Sequence, residues 1–368
     1  MRYNWQLPDW PDFQYNASVI EDIETAIFQH SGRSTGLIEG LSDKNQVEAI
    51  MDMLLVEALK SFEIEGEYLS RKDVMSSIKN NLGIKQNIMH AKDPKSKGAA
   101  DLMVDARNTF ADKLTQKKLF EWHRMIFSGN TRIKPGKWRH HSEPMQVVSG
   151  TVGKEKIHFE APPSSMVAQE MKGFLLWFNN SHPDQKGGIK RPVLRSAIAH
   201  LYFESIHPFE DGNGRIGRTI AEKALSQGFK QPILISISNT IEANRKAYYN
   251  ALKEAQQSYE ITRWLKYFAQ VVYDAQVDAE KRIKFSLKKS KFFDKWKTEL
   301  NTRQLKAINR MLSDEPNGFE GGMNARKYIS LTKTSKATAT RDLQDLVKKE
   351  IFIPSGGGRS TNYAVNLD

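Results

Sequence analysis

The apolar residues of this chain recur mostly at helical spacing. Val47, Ile50, Met51, Leu54, Leu55, Ala58, Leu59 and Phe62 follow an i, i+3, i+4, i+7 pattern, which predicts an amphipathic helix over about 46–66 with Gly66 at its C-cap. Val193, Leu194, Ala197, Ile198, Leu201 and Tyr202 predict a second helix, and Ile216, Ile220 and Ala224 a third. Val19, Ile20, Ile23 and Ile27 place a helix over Asn16 to His30, stopped near Gly32. Thr115 to Phe127 reads as another, closed by Gly129, and Ile241 opens one more. The period changes between Lys134 and Pro163. Met145 to Val148 and Lys156 to Phe159 are short strand candidates around Gly150 and Gly153. The fold is therefore expected to be mainly α with one β-hairpin.

The tail has its own pattern. Asn324 to Ser330 fits a short helix, Leu331 to Ser335 a turn, and Lys336 to Lys348 a second helix striped by Ala339, Leu343, Leu346 and Val347. Two strand candidates, Ile351 to Ile353 and Tyr363 to Val365, flank Ser355 to Ser360. This order resembles a winged helix-turn-helix. In DNA-binding versions the second helix reads the major groove and the wing meets phosphate. Lys336, Thr338, Thr340, Arg341 and Gln344 would face outward, and Arg359 lies on the wing. A winged helix used for protein contacts or dimerisation also fits.

Composition narrows the setting. The 368 residues are enough for two or three domains. The division expected is a helical region over 1–110, a core over 111–275, a basic helical linker over 276–300 and the winged helix over 301–368. A net charge of +12 favours nucleic acid or acidic partners. Lysines and arginines cluster from Lys281 to Lys297 with Phe285, Phe292, Phe293 and Trp296 between them. A solvated helix face is the ordinary meaning of such a cluster. With no cysteine, disulfides and thiolate zinc sites are excluded. No apolar run approaches the ~18 residues of a membrane helix, and the N-terminus lacks the apolar core of a signal peptide. A cytoplasmic location is the expectation, without membrane partners. The N-terminal arm carries Trp5, Pro8, Trp10, Pro11, Phe13 and Tyr15, a set expected to pack on the body.

Chemistry concentrates between His207 and Arg218. The flanking helices make this stretch a loop leading into a helix N-terminus. That end has free N–H groups and partial positive charge. Gly212, Asn213 and Gly214 let the amides turn toward an anion, which makes a phosphate site. Arg215 and Arg218 lie three apart, share a face and can grip phosphate oxygens. A triphosphate normally arrives with magnesium, and Asp211 can supply a hard oxygen ligand. Histidine titrates near neutrality, so His207 can take a proton from an attacking hydroxyl.

The stretch resembles the Fic signature, His-x-Phe-x-Asp/Glu-Gly-Asn-Gly-Arg-x-x-Arg, at every fixed position. The similarity spans roughly residues 45 to 260. It implies a Fic-type helical core that transfers AMP from ATP to a Ser, Thr or Tyr hydroxyl of a target protein. His207 would be the general base and Asp211 the Mg2+ ligand. Gly212, Asn213, Gly214 and Arg215 would hold the α- and β-phosphates and Arg218 the γ-phosphate, with Gly217 also among the ATP-binding residues. The kinase-like Doc branch has lysine at the place of Gly214, so the resemblance is to the AMP transferases. Asn244, in Asn-Arg-x-x-Tyr-Tyr, and Tyr202 are candidates for nucleoside contact. Ser61 to Gly66 is similar to the inhibitory motif Ser/Thr-x-x-x-Glu-Gly/Asn. Glu65 would then pair with Arg218 and occupy the γ-phosphate position. The hairpin over about 140–163 resembles the flap that clamps a target peptide by strand addition, through Val147, Val148, Ile157, His158 and Phe159. Self-modification and a homodimer stay open. So do two rival readings: a DNA-binding regulator whose Fic body only senses nucleotide, and an enzyme that removes AMP.

Overall fold

The computed structural model describes residues 2–84, 92–129, 133–149, 156–312, 319, 321–357 and 360–367. Helices dominate. Along the chain run α1 (Glu21–Glu39), α2 (Asp43–Ile64), α3 (Arg71–Asn81), α4 (Pro94–Asn108) and α5 (Gln116–Ile126). A hairpin follows, β1 (Gln146–Ser149) and β2 (Lys156–Glu160). Then come α6 (Ser164–Asn180), α7 (Pro192–Ile206), α8 (Asn213–Phe229), α9 (Ile237–Ala243), α10 (Arg245–Ala255) and α11 (Thr262–Trp296). The tail holds α12 (Thr302–Met311), α13 (Ala325–Thr332), α14 (Lys336–Lys348) and a second hairpin, β3 (Phe352–Ser355) with β4 (Asn362–Val365).

Two compact units emerge. One comprises Met1–Gly32 with Ile50–Ala279, the other Arg33–Ala49 with Glu280–Asp368. Residues 50–110 thus belong with the core rather than forming a unit of their own. The first helix also runs past Gly32 to Glu39. A mid-helix glycine costs only about 1 kcal/mol, too little to stop a helix by itself.

In the first unit, α7 is the central element. Every residue from Pro192 to Ile206 is buried, the mark of a core helix. Its continuation α8 packs beside it. Val193, Ala197, Leu201, Ala221 and Leu225 join Tyr248, Trp264, Leu265 and Phe268 in one apolar cluster. The aromatic arm packs on this body. Trp10 and Phe13 meet Tyr202 edge-on at 5.1 and 6.1 Å. Trp5 donates to the Glu160 carbonyl at 2.8 Å, and the Tyr3 ring lies 5.0 Å from Phe159. The arm therefore braces β2 of the hairpin.

The hairpin is antiparallel, pairing Val147 with Phe159 and Val148 with Ile157 across a bulge. Phe159 turns inward and is buried, whereas Val148 and Ile157 are each 47% exposed. In the second unit, Ala307, Ile308, Tyr328, Leu343, Leu346, Ile351 and Phe352 form a separate core. Asp342 ties it together, accepting from Arg303, Asn301 and the Tyr328 hydroxyl.

Candidate active site

The loop between α7 and α8 begins at His207, whose backbone is left-handed at φ 50°. That conformation is uncommon for a residue with a Cβ and must be held by its surroundings. Two bonds hold it. His207 N–H donates to the Phe203 carbonyl at 3.0 Å, and its own carbonyl accepts from Arg139 Nε at 2.8 Å. Arg139 also donates to Ser164 Oγ at 3.0 Å and to the carbonyls of Pro162 and Ile206. Burial pulls the Arg139 guanidinium down to about 10, so it still carries its charge near neutrality.

Phe209 anchors the loop. Its ring is buried and stacks on His123 with centroids 4.1 Å apart. His123 Nδ1 accepts from the Gly136 N–H at 2.8 Å, which leaves Nε2 to donate to the Asp211 carbonyl at 3.1 Å. Burial pushes His123 down to about 4, so the ring is neutral near neutral pH. Asn213 closes the loop with a reciprocal amide pair: Nδ2 donates to the Phe209 carbonyl at 2.8 Å, and Oδ1 accepts from the Phe209 N–H at 2.9 Å. Gly212 turns the chain at φ 84°. A Cβ there would also lie 2.5 Å from Ile126 Cδ1. Only glycine meets both demands.

Opposite the loop stands the end of α2. Gly66 N–H donates to the Glu63 carbonyl at 2.9 Å and Glu67 N–H to the Phe62 carbonyl at 3.0 Å. With Gly66 at φ 78° this is a Schellman cap. It fixes Glu65 as the last residue before the turn. Glu65 Oε1 accepts from Arg218 Nη2 at 2.9 Å. Arg218 also donates from Nε to Ser61 Oγ at 3.1 Å and from Nη2 to the Ser61 carbonyl at 2.7 Å. Arg218 is 1% exposed. Burial alone would lower its proton affinity, but the Glu65 carboxylate outweighs this and raises it above the ordinary value. Nη1 of the same guanidinium is buried without a partner.

A cleft of ≈ 750 Å³ opens between these parts, within the range of small-ligand sites. Its lining contains His207, Asp211, Gly212, Asn213, Gly214, Arg218 and Glu65. Val147, Val148, His158 and Phe159 of the hairpin form another wall, with Tyr248, Tyr249, Lys246 and Lys253 from α10. The N-terminus of α8 therefore opens into the same space as His207. Gly214 is part of this proximity, since a Cβ on it would lie 2.3 Å from Glu65 Oε1.

Other sequence candidates sit elsewhere. Ser61 lies behind the lining, beneath Arg218. Arg215 is buried, its guanidinium 5.0 Å from the ring centres of Phe62 and Phe127. It reaches Glu67 at 3.2 Å and Asp211 Oδ1 at 3.0 Å. Gly217 lies under Glu204. Tyr202 is buried among Trp10, Phe13, Phe174 and Trp177, where its ring is core rather than cleft wall. Asn244 is exposed, and its side chain caps α10 by accepting from Ala247 N–H. Ile157 is not among the residues lining the cleft. In the second unit Lys336 and Arg341 are exposed on α14, and the Thr338 hydroxyl contacts the capping Ser335. Arg359 lies outside the described residues.

Asp211 is half exposed. Its described contacts, to Gly212 N–H and Arg215, both use Oδ1, which leaves Oδ2 for a cation. Among the described residues no group of three or more His, Asp or Glu gathers to cage a metal. A single carboxylate beside a helix N-terminus is compatible with magnesium, an ion that keeps most of its other ligands as water or ligand oxygens.

Several functional partners escape the sequence reading. Glu204 comes within 3.6 Å of His207; its i, i+3 spacing was the available signal. Arg139 and His123 gave none, because each acts on the loop from a distant part of the chain. Glu67 is a fourth, joining Arg215 to Lys95.

This geometry has parallels among known proteins. Residues 113–225 match the model of the Fic/DOC family, and residues 3–84 match a domain of unknown function, DUF4172. A protein adenylyltransferase Fic from Drosophila erecta is 26% identical over 242 residues, covering 66% of this chain and 40% of that protein. Its counterpart from Aedes aegypti is 24% identical over 252 residues, covering 66% and 46%. The chain thus spans less than half the length of these curated relatives. Among solved structures, a Fic family protein from Desulfovibrio desulfuricans G20 superposes with a TM-score of 0.56 at 18% identity, covering 97% of this chain and 98% of that one. A Fic domain containing signaling protein from Bacteroides thetaiotaomicron VPI-5482 gives 0.53 at 23% identity, covering 70% and 97%. At such identities the likeness is one of fold.

Proposed function

The matched segment 113–225 makes this chain a member of the Fic family, and from that premise we propose that it transfers AMP from ATP to a hydroxyl side chain of a target protein. The observation that carries this reading is convergence: His207, the N-terminus of α8 and Arg218 open into one cleft beneath the hairpin. Phosphates would lie on the α8 amides. The target hydroxyl attacks the α-phosphorus as its proton passes to His207. The bond from that phosphorus to the β-phosphate oxygen breaks, and pyrophosphate leaves. Asp211 would hold magnesium, whose charge would offset that of the phosphates. Positioning and charge stabilisation then account for most of the rate. The open edge of the hairpin suits an extended target segment adding as a further strand.

The same reading includes a brake. Arg218 is the cation that would hold the γ-phosphate, and Glu65 already accepts from it at 2.9 Å. A carboxylate there takes the place of phosphate oxygens, so ATP binds without its productive geometry. The test is Glu65→Gly assayed with α-labelled ATP. A loss of ~1.4 kcal/mol of pairing already corresponds to tenfold, so AMP transfer should rise at least about tenfold. An unchanged rate across ATP concentrations would refute the brake. A fall in activity with the fold intact would favour the AMP-removing reading, in which Glu65 positions water. Among the described residues, no helix is long and apolar enough to cross a membrane.

A further inference from the structure

We propose that Glu204 is the positioning partner of His207, holding the Nδ1 edge of the imidazole so that Nε2 is left to accept the hydroxyl proton. This rests on the AMP-transfer reading of the site.

The two residues are one helical turn apart at the end of α7. His207 Nδ1 lies 3.6 Å from Glu204 Oε2, with side chains 14% and 5% exposed. Both carry orphaned atoms: His207 Nδ1 and Glu204 Oε1 are buried without hydrogen-bond partners. A buried polar atom left unpaired costs about 1–3 kcal/mol. Closing the gap by a few tenths of an ångström would pair Nδ1, and catalytic hydrogen bonds often tighten only with substrate bound.

The left-handed backbone of His207 supports the same role. Arg139 and the Phe203 carbonyl fix the main chain, so what remains to be fixed is the ring. Glu204 itself is 3% exposed and packs against the bare backbone of α8 at Gly217. Its Oε1 lies 2.3 Å from where a Cβ on Gly217 would be. Besides His207, the charged and titratable groups around it are His200 on its own helix, Arg218 from α8, and Tyr248 and Tyr249 from α10. Burial pushes the Glu204 carboxyl up, but His207, His200 and Arg218 outweigh it and hold it below the ordinary range. An ionised carboxylate therefore waits beside the base. When Nε2 takes the proton, Nδ1–H stays in place and the new imidazolium is neutralised where it forms, as an aspartate does for histidine in serine hydrolases.

The test uses the full chain with Glu65→Gly, so that basal transfer is measurable, adding Glu204→Gln or Glu204→Leu. Glu204→Gln should lower kcat roughly tenfold and Glu204→Leu further, within the ~10²–10⁴ that proton transfer supplies, while KM for ATP stays within about twofold. A second readout needs no turnover. Nitrogen-15 NMR of histidine at about pH 8, where the free imidazole is neutral, with His207→Ala identifying the resonances, should show Nδ1 protonated in the parent. That preference should be lost in Glu204→Leu. A kcat loss matched by lost ATP binding, or an unchanged His207 tautomer in Glu204→Leu, would overturn the proposal. If Glu204→Leu fails to fold, a parent ring protonated at Nε2 overturns it equally. If the Glu65→Gly chain transfers nothing, the transfer reading fails, and the tautomer still decides the pairing.

Discussion

On the proposed reading His207 acts on the nucleophile rather than on the phosphates, so removing it separates chemistry from binding. His207→Ala should lower AMP transfer by at least about a hundredfold while ATP affinity, measured by calorimetry, stays close to the parent value. Comparable losses in both would remove its role as base. His123 gives a pH prediction. Its folded value near 4 lies below the ordinary 6.5, so protonation favours the unfolded chain. The stability it contributes is complete above about pH 6.5 and is lost as pH falls toward 4, about 3 kcal/mol over the full window. His123→Leu should be less stable at neutral pH but less sensitive to acid, as urea midpoints at several pH values would show. If parent and variant lose stability in parallel, the assignment is wrong. At this scale the sequence was most legible where spacing is local. The signature residues stood out because a turn, a base and two arginines share one short segment. Arg139 and His123 did not, since a lone arginine or histidine carries no mark of the carbonyl it will reach after folding.

Elements were legible wherever periodicity ran long. The bounds expected for the second tail helix, Lys336 to Lys348, are those of α14. The expected stop near Gly32 failed because propensity alone rarely outweighs continued packing. The end of α2 shows how a cap can serve a site. Gly66 sets the Schellman turn that places Glu65 against Arg218. Gly66→Ala would force a Cβ into a left-handed backbone, costing roughly 1–2 kcal/mol. The chain should melt earlier and, on the proposed reading, transfer AMP faster. A variant that melts earlier with no rise in transfer would show that the cap stabilises α2 without holding the brake.

At the scale of the molecule, charge was legible and its use was not. The net charge of +12 suits several partners, and nothing in composition chooses among them. The outward face of α14 exposes Lys336, Thr340, Arg341, Gln344 and Lys348. If it binds DNA, replacing Lys336 and Arg341 with alanine should weaken binding at low salt. It should also flatten the dependence on salt by about one unit of slope for each phosphate that is no longer neutralised. Gel shifts with mixed fragments would measure this, and an absence of binding would favour a protein partner. Arg139 has a wider consequence in the first unit. One guanidinium grips Pro162, just past the foot of β2, together with the carbonyls of Ile206 and His207. On the proposed reading, the hairpin that receives the target and the base that activates it share a single rivet. A badly seated target would then spoil proton transfer along with docking. Selectivity would be written in turnover, and good and poor targets would differ less in how tightly they are held than in how fast they are changed.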